Sequence, residues 1–239
     1  RERLERSRVA VDSAQAQVVA DHDPKQVPVT EFLGACYDAG LSWVHFPEGL
    51  GGLGLSRGLQ AVADAILQGA GGPVPLGLNP MGYGMAAPTV REHAQSEDVK
   101  KSLLRPLATT EDIWCQLFSE PGAGSDLAGL ATSAVPDGDG WVISGQNGWN
   151  ALAHIADRGM LGTRTDPDMP KHKGLTMFFL DMKSKGVEVR PIKQANGMQE
   201  FNEVYFTDVV IPDHQRLGNV GDGWNVSLTT LMNERMSIG

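Results

Sequence analysis

Between residues 115 and 126 the chain reads CQLFSEPGAGSD, placing two serines, a glutamate, a proline, two glycines and an aspartate directly after an apolar run with the look of a strand. Pro121 fixes its own φ and removes one N–H donor. Gly122 and Gly124 permit backbone conformations that turn several amides outward, an arrangement suited to a phosphate or a flavin edge. The hydroxyls of Ser119 and Ser125 add donors for ring or phosphate oxygens. The same residue types also make an ordinary turn, so on type and spacing alone both readings stand.

Other chemistries find no support in the spacing. The cluster is neither a GxGxxG dinucleotide fingerprint nor a phosphate loop, which needs Gly-Lys-Ser/Thr. HExxH is absent, and the six histidines form no pairing with a serine. Cys36 and Cys115 sit in apolar segments without a CxxC or His-rich neighbourhood, which reads as small buried hydrophobes and not as metal ligands. No general base stands out.

The elements that must position the cluster change character near residue 106. Before it the apolar spacing is helical. Phe32, Leu33, Cys36 and Ala39 follow Thr30 as a plausible N-cap and precede Gly40, and Leu59, Val62, Ala63, Ile66 and Leu67 run to a stop at Gly69 and Gly71. Between these helices PEGLGGLGL is a glycine-rich turn, either a plain reversal or a close approach to another backbone or a ligand. After residue 106 the period becomes two. WVISGQ, LTMFFLDM, VEVRPI and EVYFTDVVI are bounded by PDGDG, PDMPKHKG, KSKG and NGM, which predicts antiparallel strands in a sandwich or barrel. Trp224, Leu228 and Leu231 then resume helical spacing, with Arg235 on the same face. The expected fold is therefore α+β: an N-terminal helical domain over 1–110, a middle β domain over 111–221, and the start of a C-terminal helical domain over 222–239.

With 239 residues, 41% of them apolar, the chain can fill a real core. Its formal net charge of -9, with Lys and Arg scattered, excludes a basic stripe for nucleic acid. No apolar stretch approaches the ~18 residues that span a bilayer, and no leader pattern is seen, so the expected location is the cytoplasm without a membrane span. The chain opens at Arg1 and closes at Gly239 after an apparent helix, and it reads as a fragment of something longer.

Several motifs in order then carry a resemblance. CQLFSEPGAGSDLAGLAT, WVISGQNGW, GLTMFFLDM, GVEVRPI, FNEVYFTDVVIP and VGDGWNVSLTTLMNER, with AGLSWVHFPEGLGGLGLS and MAAPTVREHA upstream, resemble the flavin-dependent acyl-CoA dehydrogenase family over nearly the whole chain, in wording closest to its actinobacterial members. Some of those act on CoA thioesters of steroid side chains. The resemblance implies a helical N-terminal domain, a middle β domain and a C-terminal helical bundle, with FAD between the last two. It also implies α,β-dehydrogenation of an acyl-CoA thioester to the 2-enoyl-CoA. A glutamate base removes the α-proton, flavin N5 accepts hydride from the β-carbon, and electrons leave to an electron-transfer flavoprotein. No catalytic residue is expected within this chain, because that glutamate belongs to a C-terminal part beyond Gly239, and the fragment alone is expected to be inactive.

Carried over residue by residue, the resemblance implies cofactor contacts from Gln116, Phe118, Ser119, Gly124, Ser125, Trp149 and Ala151. Phe118 and Ser119 address the flavin ring, Gly124 and Ser125 the pyrophosphate, and Trp149 packs on the ring. Substrate contacts fall to Ser125, at the pantetheine arm, and to Arg235. The chain departs from the pattern at Ala151, where relatives have a Thr or Ser hydroxyl, and at Asn147, where they have Lys. Asn150 offers a substitute donor if its side chain turns inward. Two alternatives follow: a non-catalytic subunit of a heteromeric dehydrogenase, homo- or hetero-oligomeric with related subunits, and a flavin monooxygenase or oxidase on the same fold.

Overall fold

A computed structural model describes residues 2–238. The chain divides into two compact units, one made of residues up to Tyr83 with Lys100–Glu111, the other of Gly84–Val99 with Asp112 onward.

In the first unit, α1 (Glu2–Asp21), α2 (Val29–Asp38) and α3 (Gln60–Gly69) share a core of Val11, Val18, Phe32, Leu33, Cys36, Leu41, Leu59, Ala63 and Leu67. The helix α1 has no counterpart in the expected elements. Its sequence is polar with only scattered valines, too weak a periodic signal for a helix held by docking of Val11 and Val18. Its buried Gln15 donates from Nε2 to the Ala63 oxygen at 2.6 Å, stitching α1 to α3. The expected cap at Thr30 is corrected: α2 begins at Val29 behind Pro28, whose fixed φ of -55° presets the entry, and Thr30 lies in the first turn. Gly40 at φ +75° ends the helix as anticipated. The PEGLGGLGL loop makes its close approach to its own backbone, because a Cβ on Gly52 would lie 2.1 Å from the Phe46 oxygen.

Short α4 (Pro75–Leu78), α5 (Ala87–His93) and α6 (Glu97–Thr109) complete the helices before the sheet. The second unit is α+β, an eight-stranded, mostly antiparallel sheet with α5 and α7 (Gly223–Ile238). Its strands are β1 (Trp114–Leu117), β2 (Ser133–Asp137), β3 (Gly140–Ala151), β4 (Arg158–Arg164), β5 (Leu175–Asp181), β6 (Val187–Pro191), β7 (Phe201–Pro212) and β8 (Arg216–Leu217). They run in the order β6-β7-β3-β2-β4-β5-β8, and β1 pairs parallel with β4. The alternating and fully apolar runs of the sequence become β3, β5, β6 and β7. The strand β4, RGMLGTR, escapes the period-two signal because two glycines interrupt it, and the space over them is taken: a Cβ on Gly159 would meet Leu117 at 2.5 Å and one on Gly162 would meet Leu130 at 2.9 Å. Leu117, Ile143, Leu161, Phe178, Val204 and Val209 form the core.

The helix α7 lies on β5, where Gly223 is needed because a Cβ there would fall 2.6 Å from the Leu175 carbonyl carbon. The helical spacing of Trp224, Leu228 and Leu231 falls within α7, but the buried positions are Val226, Ser227 and Thr230, while Leu228 is 41% exposed. Small side chains win that face because Thr230 bonds Thr89 Oγ1 at 2.9 Å and Thr229 bonds His93 Nε2 at 2.8 Å, holding α7 close to α5. Among the described residues no helix is long and apolar enough to cross a membrane.

Candidate functional site

The segment after β1 is built for exposure of polar groups. Phe118 is buried and closes the strand, and the chain then doubles back in a four-residue turn. The Glu120 N–H donates to the Ala123 oxygen at 2.9 Å and the Ala123 N–H returns to the Glu120 oxygen at 3.1 Å. Ala123 is buried beneath the turn, leaving Pro121, Gly122, Gly124 and Ser125 on its outer side. Neither Gly122 nor Gly124 adopts a left-handed conformation, and a Cβ at either would meet nothing within 4 Å. The protein's own packing therefore gives no reason for glycine there; open space over the turn does. Among the described residues the N–H groups of Gly122, Gly124 and Ser125 donate to no protein acceptor, and the hydroxyls of Ser119 and Ser125 have no partner.

The second wall comes from β3. Between Asn147 and Asn150 its register against β7 slips, so that Gly148 and Trp149 oppose the single residue Glu203. This bulge puts Trp149 at φ +59° and breaks the in-out alternation, which leaves the indole 66% exposed with its edge toward Phe201, ring centres 6.3 Å apart. Asparagines lace the two walls together. Asn147 Nδ2 donates to the Ser119 oxygen at 3.0 Å, the Gly148 N–H donates to the same oxygen at 2.9 Å, and Asn150 Nδ2 donates to the Gln116 oxygen at 2.9 Å. Asn202 on β7 donates to the Asn150 oxygen at 3.0 Å. Asn150 is thus committed to Gln116 and buried, so its amide does not turn inward in place of a hydroxyl at Ala151. Ala151 pairs with Phe201 in the ladder and offers only main-chain polar groups.

The structure brings Gln116, Phe118 and Ser119 against the bulge that carries Trp149, with Gly124 and Ser125 on the same turn. Arg235 is exposed on α7, and no described contact joins it to these residues. Sequence reasoning passed over Glu120, whose carboxylate accepts from the Ala131 and Thr132 N–H groups at 2.7 Å each. It also passed over Asn202. Their partners are distant in sequence, and no local pattern announces them.

The electrostatics favour an anionic or acceptor-rich ligand. Unpartnered donors lie on the exposed turn, and the nearby carboxylates are engaged, Glu120 by two amides and Asp126 by Lys171 Nζ at 2.8 Å. Nucleophilic thiol chemistry is remote, since burial pushes the Cys115 thiol up to about 12 and burial with the neighbouring Asp64 does the same for Cys36. Among the described residues no group of three or more His, Cys, Asp or Glu is placed to hold a metal ion. The residues present fit a flavin dinucleotide: a free indole face, unpartnered hydroxyls, and outward amides over glycines whose missing Cβ atoms leave room.

Comparison with known proteins gives this arrangement a setting. Residues 115–209 match the family described as acyl-CoA dehydrogenase, middle domain. The chain is 43% identical over 204 residues to acyl-CoA dehydrogenase FadE34 of Mycobacterium tuberculosis, an alignment covering 85% of this chain and 28% of that one. The solved structure of a Tcur3481-Tcur3483 steroid ACAD G363A variant superposes with a TM-score of 0.74 at 28% identity, covering 96% of this chain and 63% of that one. The ChsE4-ChsE5 complex from Mycobacterium tuberculosis gives a TM-score of 0.68 at 27% identity, covering 98% and 60%. The chain spans less than two thirds of each of these proteins.

Proposed function

The chain belongs to the acyl-CoA dehydrogenase family by its middle domain, residues 115–209, and on that premise we propose that it supplies the flavin edge and the pantetheine contact of an enzyme that dehydrogenates an acyl-CoA thioester to the 2-enoyl-CoA. The observation that carries this reading is the edge of free donors: the unpartnered hydroxyls of Ser119 and Ser125 and the unpartnered N–H groups of the exposed Gly122, Gly124 and Ser125, beside the exposed indole of Trp149. FAD, when bound, supplies the hydride acceptor.

In this reading the residues of the chain bind and orient. Gln116, Phe118 and Ser119 face the ring system, Trp149 covers one of its faces, and the main chain at Ala151 serves where a hydroxyl is absent. Gly124 and Ser125 take the pyrophosphate, and Ser125 with Arg235 meets the acyl-CoA. Donors fixed before the substrate arrives need no reorganisation as negative charge develops. The division of labour assigns 1–110 to a helical domain, 111–221 to the middle β domain and 222–239 to the start of a helical domain that holds the glutamate base further along. The proposed partners are the acyl-CoA, an electron-transfer flavoprotein and related subunits, in the cytoplasm.

A second reading has its own observation. Ala151 lacks the hydroxyl, and the solved ChsE4-ChsE5 structure is a complex of two named components, which favours a subunit that shapes a heteromer and leaves the chemistry to its partner. One experiment separates the two. The complete gene product, expressed with any co-encoded partner, is examined for bound flavin by its visible spectrum and then mixed with acyl-CoA without oxygen. Bleaching of FAD bound to this chain supports the dehydrogenase; a colourless chain that takes up no FAD even with its partner overturns it.

A further inference from the structure

We propose that Glu120 is a positioning residue for the donor-rich turn, transmitting the rigidity of β4 to the amides that face the ligand. This rests on the flavin-edge reading of the site. Three observations combine. First, Arg164 at the end of β4 holds the 128–132 segment from several sides: its Nη2 donates to the Ala128 oxygen at 2.5 Å, its Nε to the Leu130 oxygen at 3.2 Å, and its own N–H to the Thr132 oxygen at 2.7 Å. Second, the same segment turns two consecutive N–H groups, those of Ala131 and Thr132, onto the two carboxylate oxygens of Glu120 at 2.7 Å each. Third, Glu120 is itself the first residue of the turn, closed by its paired bonds with Ala123.

A chain of short bonds therefore runs from β4 through residues 128–132 and the Glu120 carboxylate into the Glu120–Ala123 turn. Asn147 and Gly148 fasten the preceding carbonyl, that of Ser119, from β3. The turn is held on both sides while the exposed Gly122, Gly124 and Ser125 keep their N–H groups free of protein acceptors. The two amides also absorb the Glu120 charge, which would otherwise repel a pyrophosphate on the same turn. Glutamine does not replace this: its single carbonyl oxygen serves one amide, and its NH2 opposes the other N–H.

The test uses the complete gene product with Glu120→Gln, Glu120→Asp and Glu120→Ala. Two quantities are read: amide hydrogen exchange over residues 120–132 in the flavin-free protein, and the dissociation constant for added FAD by quenching of flavin fluorescence. Loss of one charge-assisted bond is expected to raise exchange at the turn-closing N–H groups of Glu120 and Ala123, and the FAD dissociation constant, each by about tenfold in Glu120→Gln. Glu120→Asp, which reaches only one amide, is expected to fall between, with thermal unfolding near that of the wild type in both. If wild type binds FAD and Glu120→Gln binds it equally well with unchanged exchange in the turn, Glu120 is no positioning residue and the flavin reading stands. If wild type takes no FAD, the flavin reading fails, and Glu120 is judged on exchange alone, unchanged protection in Glu120→Gln overturning its role. Should Glu120→Ala not fold, the Gln and Asp variants decide.

Discussion

The side-chain amide of Asn147 donates to the main-chain oxygen of Ser119 at 3.0 Å, and the neighbouring Gly148 N–H reaches the same oxygen at 2.9 Å. A strand from the far side of the site thereby fixes the residue whose hydroxyl is proposed to face the flavin. Asn147→Ala removes the first bond and leaves the second, so no carbonyl is orphaned. Urea unfolding should show a loss of about 1 kcal/mol, and titration with FAD a several-fold weaker affinity.

Gly122 and Gly124 have ordinary backbone angles and empty space where a Cβ would stand. Gly124→Val should therefore leave thermal stability within about 0.5 kcal/mol of wild type, while a side chain placed over the turn blocks the ligand. FAD uptake falling with an unchanged melting curve is the expected outcome; equal uptake would remove this turn from the site.

Trp149 holds φ +59° and is 66% exposed, so it combines backbone strain with little burial. Trp149→Gly relieves a left-handed strain of roughly 1 kcal/mol at small cost in packing, and stability should stay near or above that of the wild type. Flavin loading and the absorption profile of bound flavin should both change, as the visible spectrum would report.

Asp213 receives bonds from Arg216 and from Trp141 Nε1, and these hold its carboxyl down to about 2. Its folded pKa lies below its ordinary value of 3.8, so its stabilisation is present above that value and is lost as pH falls through about 2. Asp213→Asn should be less stable at neutral pH and show a shallower further loss between pH 4 and pH 2, measurable by thermal melts across that range.

Cys115 lies within the sheet core, 0% exposed, with its thiol pushed up to about 12 by burial. Native protein at pH 8 should leave it unreacted with a thiol reagent over the time in which unfolded protein reacts completely. Rapid native reaction would show that the sheet opens at β1.

How much of this was legible beforehand varies with the range of the interaction. The stop at Gly40 was readable because a residue at φ +75° is favoured as glycine wherever a helix must end. The reading of Thr30 as a cap failed because Pro28 presets the same entry without a side-chain bond. The strand over 158–164 was missed since its two glycines answer to Leu117 and Leu130, residues that are near only in space.

By itself the sequence determined the α+β class, the strands that became β3, β5, β6 and β7, and the turn that presents Ser119 to Ser125. Each of these follows from local rules, alternation of apolar residues and the backbone freedom of glycine and proline, which act within a few residues. Only the tertiary structure decided that Trp149 points outward, because a bulge arises from a mismatch between two strands. The structure likewise set the buried face of α7 and the partners of Glu120, Asn147, Asn150 and Asn202, since a buried polar group takes whichever partner the fold brings within about 3 Å.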